Sequence, residues 1–185
     1  MINLAIIKAV VLGDSEVGKT SFTKRWTQGT FPNPEMLKTT VGASFDTLKT
    51  TLPNGSDVTL SVWDFGGQRR FSEALKSMII GAKVGLLFFD VSHLASLDSL
   101  YNYWVPLAQE HGNFNFMEDD GKRFLLVGNK IDLVCNDDNT LDDVNKEIEN
   151  FSKRFGIESA LISAKTGVGI GPLDFKFREI IENVL

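Results

Sequence analysis

Val10-Val11-Leu12-Gly13-Asp14-Ser15-Glu16-Val17-Gly18-Lys19-Thr20 decides the fold. An apolar run of strand length ends at Leu12. Gly13 to Thr20 then fits G-x-x-x-x-G-K-[ST] where a strand gives way to a helix. In that setting the glycines let the backbone turn until successive N–H groups face a phosphate, and the following helix adds its positive N-terminal end. Lys19 supplies a cation and Thr20 a hydroxyl for Mg2+.

Outward from this loop, apolar runs of strand length alternate with amphipathic stretches of helix length. That rhythm predicts an α/β fold, a mostly parallel sheet with helices on both faces. Six strands are expected near 4–12, 44–52, 57–64, 84–90, 123–129 and 159–163. Pro53-Asn54-Gly55-Ser56 separates the second from the third, and Asn-Gly tolerates the positive φ of a tight hairpin, so that pair is expected to be antiparallel and the sheet mixed. Helical spacing groups Phe22 with Trp26, then Leu97, Tyr101, Trp104 and Ala108. A third stripe is Leu141, Val144, Ile148, Phe151 and Phe155, with Thr140 and Asp143 as a capping-box-like start. Leu173, Phe177, Ile180, Ile181 and Val184 form the last, introduced by Pro172. Asn113 to Lys122 has no such period and reads as an acidic surface loop.

The chain has 185 residues, which predicts one domain over 1–185. With 43% hydrophobic and 23% charged residues it can bury a core, and no apolar run reaches the length of a membrane span. The net charge of -5 comes without a basic cluster, so neither nucleic acid nor anionic lipid is expected as a partner. Cys135 is the single cysteine, which predicts a reducing, cytoplasmic setting and a structural role for the thiol. The N-terminus lacks the cationic start and cleavage site of a signal peptide, residue 2 is not Gly, and the chain ends in Glu-Asn-Val-Leu without a cysteine to prenylate. Membrane association is therefore expected only through a lipidated tail beyond this sequence.

A phosphate loop does not name a base or a reaction. Asp64 ends the third strand and is followed by Phe65-Gly66-Gly67-Gln68. A carboxylate there holds a metal through water, and Gly67 offers an unobstructed N–H to a γ-phosphate. Asn129-Lys130-Ile131-Asp132 follows the fifth strand and Ser163-Ala164-Lys165 the sixth. Guanine presents N1–H and a 2-amino group, two adjacent donors that one carboxylate, Asp132, accepts together; adenine has neither on that edge. Such discrimination by unmatched polar groups is large. The N–H of Ala164 is expected to meet O6, with the stems of Lys130 and Lys165 flanking the ring.

In this order and spacing the four boxes resemble the Ras superfamily of small GTPases over the whole chain. Gly-Asp-Ser-x-Val-Gly-Lys-Thr, Trp63 before Asp64, Phe71 after the Gln, and Asn102-x-Trp104 are similar to the Rab branch. The pair Gly66-Gly67 is similar instead to Arf proteins and some Rab-like outliers. The resemblance implies a P-loop small G-domain that binds GTP or GDP with Mg2+, hydrolyses GTP slowly and signals through two switch loops. It places nucleotide binding on Gly13, Asp14, Ser15, Glu16, Val17, Gly18, Lys19, Thr20 and Ser21. Thr20, Asp64 and Thr40 become the Mg2+ residues, with Thr39 the neighbouring register. Phe31, twelve residues after Lys19, matches the ring stacked edge-on to guanine. Gln68 matches the residue that orients the attacking water, with Lys19 and Thr40 beside it in catalysis. A GTPase-activating protein, an exchange factor and effectors are the implied partners, with vesicle traffic or signalling as the setting and a monomer as the state.

The chain also departs from the family's pattern. From Phe31 to Thr40 is nine residues, two more than that pattern, and Pro32 and Pro34 stiffen the stretch. Leu37 occupies the position where a catalytic Arg in cis would stand, so a partner is expected to supply one. Arg69 and Arg70 compensate in cis, bind an acidic partner or are solvated. Glu16 stands where many relatives have Gly, its side chain expected in solvent while its N–H faces phosphate. Met78-Ile79-Ile80-Gly81-Ala82 replaces a Tyr-Tyr-Arg-Gly-Ala run. The rival reading is a pseudo-GTPase scaffold that holds guanine nucleotide without cycling; an ATP-dependent kinase leaves Asn129, Lys130, Asp132 and Ala164 without a job.

Overall fold

The computed structural model describes residues 5–33, 42–66, 72–116 and 118–185. The expectations placed on Pro34, Leu37, Thr39, Thr40, Gly67, Gln68, Arg69, Arg70 and Phe71 lie outside the described residues.

Six strands form one sheet in the order β2-β3-β1-β4-β5-β6. They are β1 (Ala5–Leu12), β2 (Ala43–Thr51), β3 (Asp57–Phe65), β4 (Val84–Asp90), β5 (Phe124–Asn129) and β6 (Glu158–Leu161). Every expected strand is present, with ends moved by one or two residues. The central strands are apolar on both faces because both faces are covered. Alternate residues of β1 enter two different cores: Ile7, Ala9 and Val11 on one side, Val10 and Leu12 on the other. All of β4 and β5 is buried. Only β2 is antiparallel to its neighbour, running from Ala43 opposite Phe65 to Thr51 opposite Asp57. The expected tight turn is a five-residue loop, 52–56, closed by Leu52 N–H on the Ser56 carbonyl (2.8 Å) and by Asn54 Oδ1 accepting from Ser56 N–H (2.9 Å).

Helix α1 (Lys19–Gln28) packs beside α6 (Ile170–Asn183) on one face, where Phe22, Leu173, Phe177 and Ile181 share a core. On the other face lie α2 (Ser72–Ile79), α3 (Ala95–Ser99), α4 (Val105–Gly112) and α5 (Asp138–Phe155). Leu97, Trp104 and Ala108 are buried as their spacing requires, but the helix bearing them holds a π-helical turn, Leu100–Trp104, between α3 and α4. A π turn inserts a residue and rotates the helix beyond it, which sets the direction of Trp104. Where the sequence resembles a switch II run, Ile79 is buried and Ile80 exposed.

Two expectations need correction. Helix α5 starts one turn earlier than the Thr140 reading, because Asp137 is its N-cap and accepts from both the N–H (3.2 Å) and the hydroxyl (2.7 Å) of Thr140. The 113–122 stretch is not a plain surface loop: Phe114 and Phe116 are buried, each with its ring centroid 4.7 Å from that of Phe124. Of its charges, Asp120 and Lys122 sit in a 3-10 turn, Asp120–Arg123, that leads into β5.

Candidate functional site

The loops at the carboxyl ends of β1, β3, β4, β5 and β6 gather at one edge of the sheet, the place where open α/β sheets bind ligands. Gly13 and Gly18 shape the first loop. Gly13 has φ 145°, and a Cβ there would stand 2.3 Å from the Phe88 carbonyl oxygen. Gly18, the N-cap of α1 at φ 93°, would place a Cβ 2.3 Å from Asn129 Nδ2. Lys19 is buried, and its ammonium donates to the carbonyls of Gly13 (2.8 Å) and Asp14 (2.6 Å). Two of three N–H donors are thus used among the described residues, leaving one for a phosphate oxygen. Burial lowers its pKa to about 8, against the opposing pull of Asp64 and Asp14. Glu16 is exposed with a left-handed backbone, φ 66°, and Ser21 lies half-buried in the first turn of α1. Asp14, Ser15, Glu16 and Val17 line a cavity of about 550 Å³ whose other wall includes Asp90 and Lys130.

Thr20 Oγ1 donates to Asp64 Oδ2. Asp64 is almost wholly buried, and its other oxygen, Oδ1, has no hydrogen-bond partner among the described residues. Burial raises this carboxyl to about 6, while the Thr20 hydroxyl and Lys19 hold it lower than burial alone would. A hydroxyl and a carboxylate in contact, with one buried oxygen unsatisfied, are hard oxygen donors suited to Mg2+.

At the other end, Asn129 is buried and bonds in two directions: Nδ2 to the Val17 carbonyl (2.8 Å), and Oδ1 from the Ala164 N–H (2.9 Å). The sequence reading gave that N–H to guanine O6; here Asn129 holds it, so an O6 acceptor would share it. Asp132 Oδ1 accepts from the Ser163 hydroxyl (2.5 Å), which in turn accepts from Thr166 N–H (3.0 Å). Lys130, at φ 68°, puts its ammonium 2.7 Å from Asp90 Oδ2. Burial pushes the Asp90 carboxyl up, but hydrogen bonds from Lys130 and Ser92 outweigh it and hold the group below its ordinary value. Phe31 is half-buried near the Arg25 guanidinium, and Lys165 is exposed with its carbonyl on the same Arg25.

Asp90, Arg25 and Trp104 were missed as site residues. Asp90 had a signal, a carboxylate at the carboxyl end of a buried strand. Trp104 was placed in a core stripe, yet its indole N–H donates to Asp14 Oδ1 (2.9 Å). Arg25 had no local signal.

A phosphate loop, a buried Thr–Asp pair and a base loop joined through one asparagine define a P-loop guanine-nucleotide domain. The Ras family model matches residues 8–185. The Ypt/Rab-type GTPase YPT7 of Saccharomyces cerevisiae is 32% identical over 97% of this chain and 82% of its own length. Ras-related protein Rab-18-B of Danio rerio is 32% identical over 98% and 80%, and Ras-related protein Rab-28 of Caenorhabditis elegans 28% over 97% and 67%. The chain belongs to the Ras family and is Rab-like. It is a small GTPase by that membership, with GTP/GDP and Mg2+ as the family's ligands. No described helix is long and apolar enough to cross a membrane.

Proposed function

We propose that the chain is a molecular switch, cycling between GTP and GDP and acting in membrane traffic at a membrane periphery. The observation that carries this reading is the pair of hydrogen bonds at Asn129, which ties the Val17 carbonyl of the phosphate loop to the Ala164 N–H of the base loop. Polyphosphate and base are thereby held at a fixed spacing, with the Asp132 carboxylate, oriented by Ser163, turned to guanine's paired donors.

Gly13 to Ser21 cradle the phosphates, Lys19 neutralises them, and Phe31, Lys130 and Lys165 flank the base. Thr20, Asp64 and Thr40 hold Mg2+, which when bound neutralises charge on the phosphates. Gly67 donates to the γ-phosphate and Gln68 orients water for in-line attack; this is positioning, the main need of a loose transition state. Turnover is slow, and with Leu37 at the position of an arginine in cis an activating partner supplies one. The nucleotide state is read by effectors, and an exchange factor resets it. Mg2+-dependent phosphate release is the test: Gln68→Leu should abolish a slow wild-type rate that a Rab-type activating domain raises. A wild type as inert as Gln68→Leu, with and without that domain, would make this chain a non-cycling scaffold.

A further inference from the structure

Arg25 lies in α1, 139 residues from Ala164 in the chain, yet its guanidinium grips two consecutive carbonyls of the base loop. Nε donates to the Ala164 oxygen (2.5 Å) and Nη2 to the Lys165 oxygen (2.7 Å). Its Cζ also sits 5.5 Å from the centre of the Phe31 ring. A rigid fork on adjacent carbonyls fixes two peptide planes at once. In a trans peptide the N–H points opposite to its carbonyl. With the Ala164 carbonyl turned onto α1, the Lys165 N–H is turned away from it, and that N–H has no hydrogen-bond partner among the described residues. The Thr166 N–H, on the next plane, is taken by Ser163 Oγ. Arg25 therefore turns the Lys165 N–H to the side of the loop away from α1 without standing there itself, beside the Ala164 N–H, which lies on the Ser163 peptide plane and is held by Asn129.

We propose that Arg25 is a positioning residue that sets the site's preference for a purine bearing an acceptor at position 6, acting through the carbonyls of Ala164 and Lys165. The inference rests on the reading that the 163–165 loop meets guanine. Asp132 reads the 2-amino and N1–H side; Arg25, through the backbone, governs the oxygen side. Its contact with Phe31 joins this preference to the start of the segment after α1.

The test compares three diphosphates of different base edge: GDP, the inosine analogue (6-oxygen, no 2-amino group) and the 2-aminopurine analogue (2-amino group, no 6-oxygen). Affinities are measured by calorimetry for the wild type, Arg25→Ala, Arg25→Lys and Asp132→Asn. Arg25→Ala should weaken GDP and the inosine analogue by about 10-fold, the worth of one hydrogen bond, and leave the 2-aminopurine analogue within about 2-fold. Arg25→Lys, able to hold one carbonyl, should recover part of the loss. Equal weakening of all three by Arg25→Ala, or no weakening of any, overturns the proposal. Failure of the underlying reading looks different: the wild type would then hold ADP as tightly as GDP, and Asp132→Asn would change neither.

Discussion

Replacing Asn129 by alanine separates two roles that a base-loop asparagine can have. The side chain is about 1% exposed and spans two chain segments, taking the Ala164 N–H and giving its own N–H to the Val17 carbonyl. Alanine removes both bonds and leaves a buried backbone donor and a buried backbone acceptor. The two lost bonds are worth about 1 kcal/mol each, and each stranded group adds desolvation of about 1 kcal/mol or more. Alanine's smaller volume also leaves space beside Gly18, whose Cα approaches the amide closely. The expected destabilisation is about 4 kcal/mol or more, a shift of about 2 M or more in the urea midpoint at a slope near 2 kcal/mol per M. The assay is urea unfolding of nucleotide-stripped protein followed by far-UV circular dichroism, paired with affinities for GDP and for inorganic pyrophosphate. If Asn129 is a brace, the variant loses stability without any nucleotide present and weakens pyrophosphate as well as GDP. An unchanged midpoint together with weakened GDP and normal pyrophosphate would refute the brace and make Asn129 a base contact alone.

Trp104→Phe should destabilise the protein by about 2 to 4 kcal/mol, since a hydrogen bond to a carboxylate and part of a fully buried ring are both lost. It should also speed release of a fluorescent GDP analogue, whereas Asp14→Asn, which keeps an acceptor oxygen, should cost less than half as much; equal costs would mean that the bond is not the source. Asp90 gives a pH signature. Its folded pKa lies below the unfolded value of about 3.8, so its stabilisation is fully present above that value and is lost as pH falls through the folded one. The stability gap between wild type and Asp90→Asn, about 1 to 2 kcal/mol at neutral pH from the Lys130 pair, should shrink on acidification below about pH 4 in urea titrations; a gap constant to pH 3 contradicts this.

The strands and helices were legible because burial imposes a period, and the apolar residues that obey it form the two cores. The antiparallel β2–β3 pair followed from local turn chemistry at 53–56. The turn at 13–20 was legible for a related reason: Gly13 and Gly18, both at positive φ, fall within one short stretch that leads into a helix. The stretch at 113–122 failed because Phe114 and Phe116 enter the core from irregular backbone, which has no period to detect, while the acidic neighbours dominate its composition. The start of α5 was misplaced because Asp137 and Thr140 are both good caps and only geometry ranks them. Asp14–Trp104 and Arg25–Ala164 stayed hidden for a different reason, being 90 and 139 residues apart in the chain.

Those hidden contacts share one physical form, and it explains how loops come to hold a ligand rigidly. Asn129 at the end of β5, Arg25 on α1 and Trp104 at the end of the π turn are side chains on regular elements whose polar ends terminate on loop atoms. Apolar packing fixes the elements but is not directional, so it cannot by itself aim an N–H at a ligand. A hydrogen bond is directional, and in a buried setting its loss is costly, so each one transfers the stiffness of a strand or helix to the loop it ends on. The phosphate loop receives two such anchors, at Asp14 and Val17, and the base loop receives two more, at Ala164 from opposite sides. Asn129 belongs to both sets. Loss of an outer anchor should therefore loosen one end of the nucleotide site, whereas loss of Asn129 should loosen both.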